Sequence, residues 1–180
     1  MPDQLTPRAR EIVKAARELL EEQGGEALTM RRLADRLGIR APSLYKHLPD
    51  KAALEAAIIA TGLDDMAREL EAAVDTAPEP LSAIAAAYRA FALAHPHLYL
   101  LSTNRPLPRE GLPAGVEDRA AAPLLRATGD RARARAFWAF GHGMVTLELA
   151  GRFPPDADLD AAWQAGIASF GGRAAADWSG

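Results

Sequence analysis

The sequence predicts an all-α protein of about nine helices, and two observations carry that prediction. Alanine, the best helix former, occurs 40 times in 180 residues, against 4 valines and 6 isoleucines, so β-branched strand formers are scarce. Apolar residues also recur at helical spacing between glycine and proline punctuation.

Each element has its own signals. Thr6-Pro7 reads as an N-cap followed by proline at the first helical position; Ile12, Ala16, Leu19 and Gln23 mark one face, and Gly24-Gly25 stops the helix. Thr29 caps a second helix with Leu33 and Leu37 on one side, ended by Gly38. Pro42 opens a third helix over about 41–47, with Leu44 and Leu48 pointing inward. Asp50 caps a fourth that runs to about Asp75, before the breaker Pro78-Glu79-Pro80. A fifth covers 81–94 and ends at the His95-Pro96 step, and a short sixth spans Pro96 to Leu101. The stretch STNRPLPREGLPAG is then expected to be the least ordered part of the chain. Helices near 114–128, 130–152 and 156–176 complete the prediction.

Composition excludes several functions. With no cysteine there are no disulfides, thiol nucleophiles or cysteine–metal sites. The opening MPDQLTPRAREIV lacks a positive segment followed by an apolar run, and the longest uncharged stretch, Ala90 to Asn104, is broken by His95-Pro96-His97. A soluble, cytoplasmic protein without a membrane partner is expected. The net charge of −3 hides an asymmetry: residues 1–51 carry 10 Lys/Arg against 8 Asp/Glu, and 29–51 carry 6 against 2. An acidic body with one basic face suits contact with a polyanion at one end. A solvated surface with uneven charge produces the same counts, so charge alone does not decide.

Spacing within TMRRLADRLGIRAPSLYKHLPDK (29–51) is more specific. Two short helices meet at a steep angle only if their contact is small. Ala34 supplies the small residue, Gly38 the reversal, and Leu44 the plug between the helices. This is the steric skeleton of a helix-turn-helix, whose second helix enters the major groove. Arg31, Arg40 and Lys46 can donate to guanine, while Ala41, Pro42 and Ser43 are small enough for thymine methyls. Thr29, Tyr45, His47 and Lys51 carry donors for phosphates, Lys51 at a helix start that already favours an anion.

LTMRRLADRLGIRAPSLYKHLPDKAAL closely resembles the helix-turn-helix of tetracycline-repressor-type (TetR family) regulators. Thr29, Ala34, Gly38, Ser43-Leu44-Tyr45, His47 and Lys51 fall where that pattern places them, and the likeness covers about residues 7–60. The resemblance implies a three-helix head, residues 1–51, that reads a palindromic operator on double-stranded DNA. It also implies a helical body, residues 52–180, that binds a small-molecule effector and forms a homodimer. Within FWAFGHGMVTLELAG, Trp138, His142 and Gly143 look like the motif of the WHG-type C-terminal domain in this family. Ala41 departs from the pattern, since many members have a polar base reader there, which shifts readout toward Arg31, Arg40 and Lys46.

In the body, Phe137, Phe140, Met144 and Leu147 form one apolar stripe, and Trp138, Val145 and Leu149 another. The last helix sets Trp163, Ile167 and Phe170 against a face of Ala161, Ala165 and Ala168. A helix apolar on two sides is covered on two sides, by a second copy or within one subunit. Tyr88, Phe91, His95, Tyr99, Trp138 and His142 are candidate walls of an effector site, with ordinary core packing as the competing assignment for each. Few charges fall among them, which favours a neutral or apolar effector. An effector-released repressor is the expected function; an enzyme or a protein-interaction module reusing the fold are the alternatives. No metal-ligand spacing, catalytic triad, phosphate loop or paired carboxylate emerges, so no cofactor, metal or catalytic residue is expected.

Overall fold

A computed structural model describes residues 5–171. Nine α-helices and two short 3-10 turns, with no strand, make up the regular structure of the described residues. The helices are α1 (Pro7–Gln23), α2 (Met30–Arg36), α3 (Ala41–Tyr45), α4 (Lys51–Thr76), α5 (Pro80–Ala94), α6 (Pro96–Thr103), α7 (Val116–Thr128), α8 (Arg131–Leu149) and α9 (Leu159–Ser169). They gather into two compact units, one through Ala67 with Ala94–Ala120, the other Arg68–Leu93 with the chain from Ala121.

In the first unit the expected caps operate. The Thr6 hydroxyl accepts from Ala9 N–H at 3.2 Å, Thr29 from Arg32 N–H at 3.2 Å, and the Asp50 carboxylate from Ala53 N–H at 2.7 Å. Ile12, Leu20, Leu28, Leu33, Leu44, Leu54 and Ile58 are fully buried, each stabilising the unit by roughly 1.5–3 kcal/mol of removed apolar surface. The loop between α6 and α7 contains a 3-10 turn over Arg109–Gly111, and Val116, which follows it, is buried.

In the second unit each expected stripe of α8 is only partly covered within one copy. The buried line is Phe137, Gly141 and Val145, whereas Trp138 and Leu147 are exposed. Glycine carries no apolar signal, so hydropathy is silent about Gly141 on this buried line; a Cβ there would lie 3.5 Å from the Tyr88 ring of α5. On α9, Trp163 is buried and Ala161, Ala165 and Ala168 face outward. Phe170 caps the end of α9, so the helix stops short of the expected 176; residues 172–176 lie outside the described part. Phe137, Phe140, Phe170 and Trp163 form an aromatic cluster between α8 and α9 with ring centroids 5.2–6.3 Å apart.

Candidate nucleic-acid interface

The turn between α2 and α3 is fixed by backbone bonds. Gly38 adopts φ +64°, Ile39 N–H reaches back to the Ala34 carbonyl at 3.0 Å, and Gly38 N–H reaches Asp35 at 3.1 Å. This double bond pattern closes a helix through a left-handed residue, which glycine adopts without steric cost. Ala34 and Leu44 are buried on either side of the turn, as the small-contact argument requires. Pro42 lies in the first turn of α3, and Arg40 occupies its N-cap position without a capping side-chain bond.

Most of the candidate DNA-contact residues are exposed. Arg40, Pro42, Tyr45, Lys46 and His47 are exposed and Ala41 and Ser43 half-buried, with Thr29 and Arg31 exposed at the start of α2. The third helix is shorter than expected: it ends at Tyr45, and Lys46 and His47 stand in the turn that follows. His47 N–H bonds the Leu44 carbonyl at 2.9 Å, which holds that turn tight.

The cations of this unit divide into two kinds. Arg36 donates to Glu22 at 2.7 and 2.8 Å and to Glu18 at 3.4 Å, and Arg17 pairs with Asp65. The hydrogen bond from Arg36, more than its charge, holds the Glu22 carboxyl below its usual range, and Glu22 in turn raises the Arg36 guanidinium. Lys51 pairs with Glu55 one turn along α4, at 3.3 Å. Arg31, Arg40 and Lys46 make no ion pair among the described residues. Charges that are exposed and uncommitted remain available to phosphates and base edges.

The six candidate effector residues are distributed over the two units. His95 and Tyr99 belong to the first unit, with Tyr99 buried and His95 at the N-cap position of α6. Tyr88, Phe91, Trp138 and His142 belong to the second. Tyr88 and Phe91 are buried, while Trp138 is 51% exposed and stacks on His142 with ring centroids 5.9 Å apart. A separate cleft of about 990 Å³ in the second unit is lined by Leu81, Ala85, Arg89, Arg133, Trp163 and Ile167 among others, and by none of the six. Sequence reasoning missed Arg89, which donates to Glu148 at 2.8 and 2.9 Å and to Asp160 at 2.6 Å, and lies 5.9 Å from the Trp163 ring. Its partners stand 59 and 71 residues away, a separation that no local pattern reports.

A three-helix head with a cationic helix-turn-helix, carried on a helical body, defines a DNA-binding transcriptional regulator. Residues 12–58 match the model of the bacterial regulatory proteins of the tetR family, and residues 81–170 match the tetracyclin repressor-like C-terminal domain. The chain belongs to the TetR family. It is 33% identical over 161 residues, 83% of this chain and 73% of the relative, to an uncharacterized HTH-type transcriptional regulator of Mycobacterium tuberculosis. To the class C tetracycline repressor protein of Escherichia coli it is 51% identical over 43 residues, 24% of this chain and only 20% of that protein. Among solved structures, regulatory protein SCO4313 superposes with a TM-score of 0.74 at 26% identity, covering 91% of this chain and 94% of the other. A TetR variant from Acinetobacter baumannii AYE, solved in complex with minocycline, gives 0.63 at 26% identity, covering 93% and 94%. No helix of the described residues is long and apolar enough to cross a membrane.

Proposed function

We propose that this chain is a cytoplasmic, homodimeric repressor that binds a palindromic operator and is released from it by a small neutral or apolar effector. It has no catalytic activity in this reading. The observation that carries it is the set of exposed cations without an ion pair among the described residues, Arg31, Arg40 and Lys46, on the two helices joined by the turn that closes at Gly38. Arg31, Arg40 and Lys46 read bases together with Ala41, Pro42 and Ser43; Thr29, Tyr45, His47 and Lys51 hold phosphates. Functionally the chain divides into the reading head, 1–51, and the effector and assembly part, 52–180.

Assembly is supported by what one copy leaves uncovered. Trp138 and Leu147 on α8 are large and exposed, and the alanine face of α9 is exposed and small enough for close helix approach. Effector recognition is assigned to Tyr88, Phe91 and His142, with Trp138 stacked beside His142 and with His95 and Tyr99 as the candidates in the first unit. Release then requires different effector affinity in the two states, and operator DNA weakens the effector by the same factor.

Selection of bound duplexes from random DNA tests the reading. An inverted repeat with half-sites about one turn apart is expected. Arg31→Ala and Lys46→Ala each cost roughly 1–3 kcal/mol and relax preference at particular base pairs, whereas Lys51→Ala weakens all sequences alike and lowers the salt slope by about one. Absence of any enriched sequence, or a monomer by light scattering, overturns the proposal.

A further inference from the structure

Glu21 lies near the end of α1, half-buried, and its carboxylate serves another helix. It accepts from Leu98 N–H at 2.9 Å and from His97 N–H at 3.3 Å, both in the first turn of α6. Amides at a helix start have no carbonyl within their own helix. α6 supplies no cap itself: His95 makes no side-chain capping bond, and Pro96 has no N–H. The cap therefore comes from a residue 76 and 77 positions earlier, on the helix against which α2 is clamped.

Two glycines shape the same joint. Gly24, at the end of α1 with φ +79°, lets the His97 ring approach to where a Cβ would be 3.5 Å away. Gly62 of α4 does the same for Leu98, with 3.0 Å between its absent Cβ and the leucine methyls. The first turn of α6 is thus seated against both α1 and α4, and the Arg17–Asp65 pair ties those two helices together nearby in the sequence. Apolar contacts such as Leu98 on Gly62 permit sliding. A carboxylate holding two amides is directional, and charge-assisted bonds of this kind are the stronger ones.

We propose that Glu21 is a positioning residue for operator binding: by capping α6 it fixes the direction of α1, and through α1 the angle at which α2 and α3 meet DNA. The proposal rests on the two-headed operator reading above. When two heads engage one duplex, the angle of each decides whether both half-sites are reached; a single half-site tolerates a tilt. Loss of the cap therefore harms the full repeat selectively.

The test uses the full-length chain with Glu21→Gln, which removes one acceptor and the charge, and Gly62→Ala, which pushes on the same joint from α4. Each is titrated against the selected inverted repeat and against the same duplex with one half-site scrambled. A third series inserts or removes one base pair between half-sites, turning one by about a tenth of a turn. For Glu21→Gln we expect binding to the full repeat about tenfold weaker, the scale of one charge-assisted bond, and for Gly62→Ala a smaller loss in the same direction, with half-site binding within about twofold of wild type in both. The spacing preference flattens or moves. A wild type without spacing preference defeats the two-headed reading itself. A wild type with the preference and variants that share it unchanged defeat the role of Glu21 alone. Equal weakening on full and half-sites, with a lowered Tm, makes Glu21 a stabilising cap only and also overturns the proposal.

Discussion

Arg36 and Arg89 do the same thing in different parts of the molecule, each holding two carboxylates, and their settings differ. Arg36 in the first unit reaches Glu22 and Glu18, 14 and 18 residues back, and both acids are about half exposed. Arg89 in the second unit joins α5 to α8 and α9, reaching partners 59 and 71 residues on; Glu148 is only 16% exposed, and the Trp163 ring lies beside the guanidinium. The first clamp trims the geometry of a motif that local signals already specify. The second replaces local specification, because nothing in the sequence of α8 says which face meets α5. Surface pairs are screened and contribute little, whereas a shielded carboxylate that loses its partner is left costly.

The sharpest way to break this contrast is to remove both arginines separately. Arg89→Ala should cost about 3 kcal/mol in chemical denaturation, because it strands the shielded Glu148 and uncovers Trp163. A loss no larger than that of Arg36→Ala would erase the distinction.

Next come two glycines of the second unit. A Cβ at Gly166 on α9 would overlap the Phe140 ring on α8, so Gly166→Ala should lose about 1–2 kcal/mol through forced movement of the aromatic cluster. A Cβ at Gly143 meets nothing within 4 Å in one copy. Gly143→Ala should therefore stabilise an isolated chain by about 0.5–1 kcal/mol, the helix preference of alanine over glycine. If its face is covered by a second copy, the same change weakens assembly, read as a raised dimer dissociation constant in sedimentation.

Arg36→Ala should lower Tm by less than either destabilising change, with helicity and the α2–α3 turn intact by circular dichroism and amide exchange. The smallest effect is its pH dependence. Glu22 is held below its ordinary value of 4.5 by Arg36, so the contribution of the pair is fully present above about 4.5 and is lost as pH falls through the lower folded value. The Tm gap between wild type and Arg36→Ala should accordingly narrow on acidification below that range; a gap that widens would reverse the sign.

The same contrast explains what was legible. Thr29, Gly38 and Pro42 each act within four residues of their own position, so the caps, the turn and the start of α3 could be read directly from sequence. The end of α3 could not, because Lys46 and His47 are acceptable in a helix; the helix ends at Tyr45 in a turn where the Leu44 carbonyl accepts from both His47 and Leu48. In α8 the sequence offers apolar residues on several sides, and hydropathy does not register Gly141, which is buried beside the Tyr88 ring. The Glu21 cap and the Arg89 clamp depend on partners far along the chain, which periodicity does not encode.

The stacked pair Trp138–His142 has an optical consequence. Among the described residues of the second unit, Trp138 stands half in solvent and Trp163 is 5% exposed, so their emission reports opposite environments. With Trp178 replaced by phenylalanine, dilution of the unlabelled protein becomes a spectroscopic titration. If a second copy covers Trp138, emission shifts to the red on dilution as that indole passes to water, while the buried Trp163 serves as the internal standard.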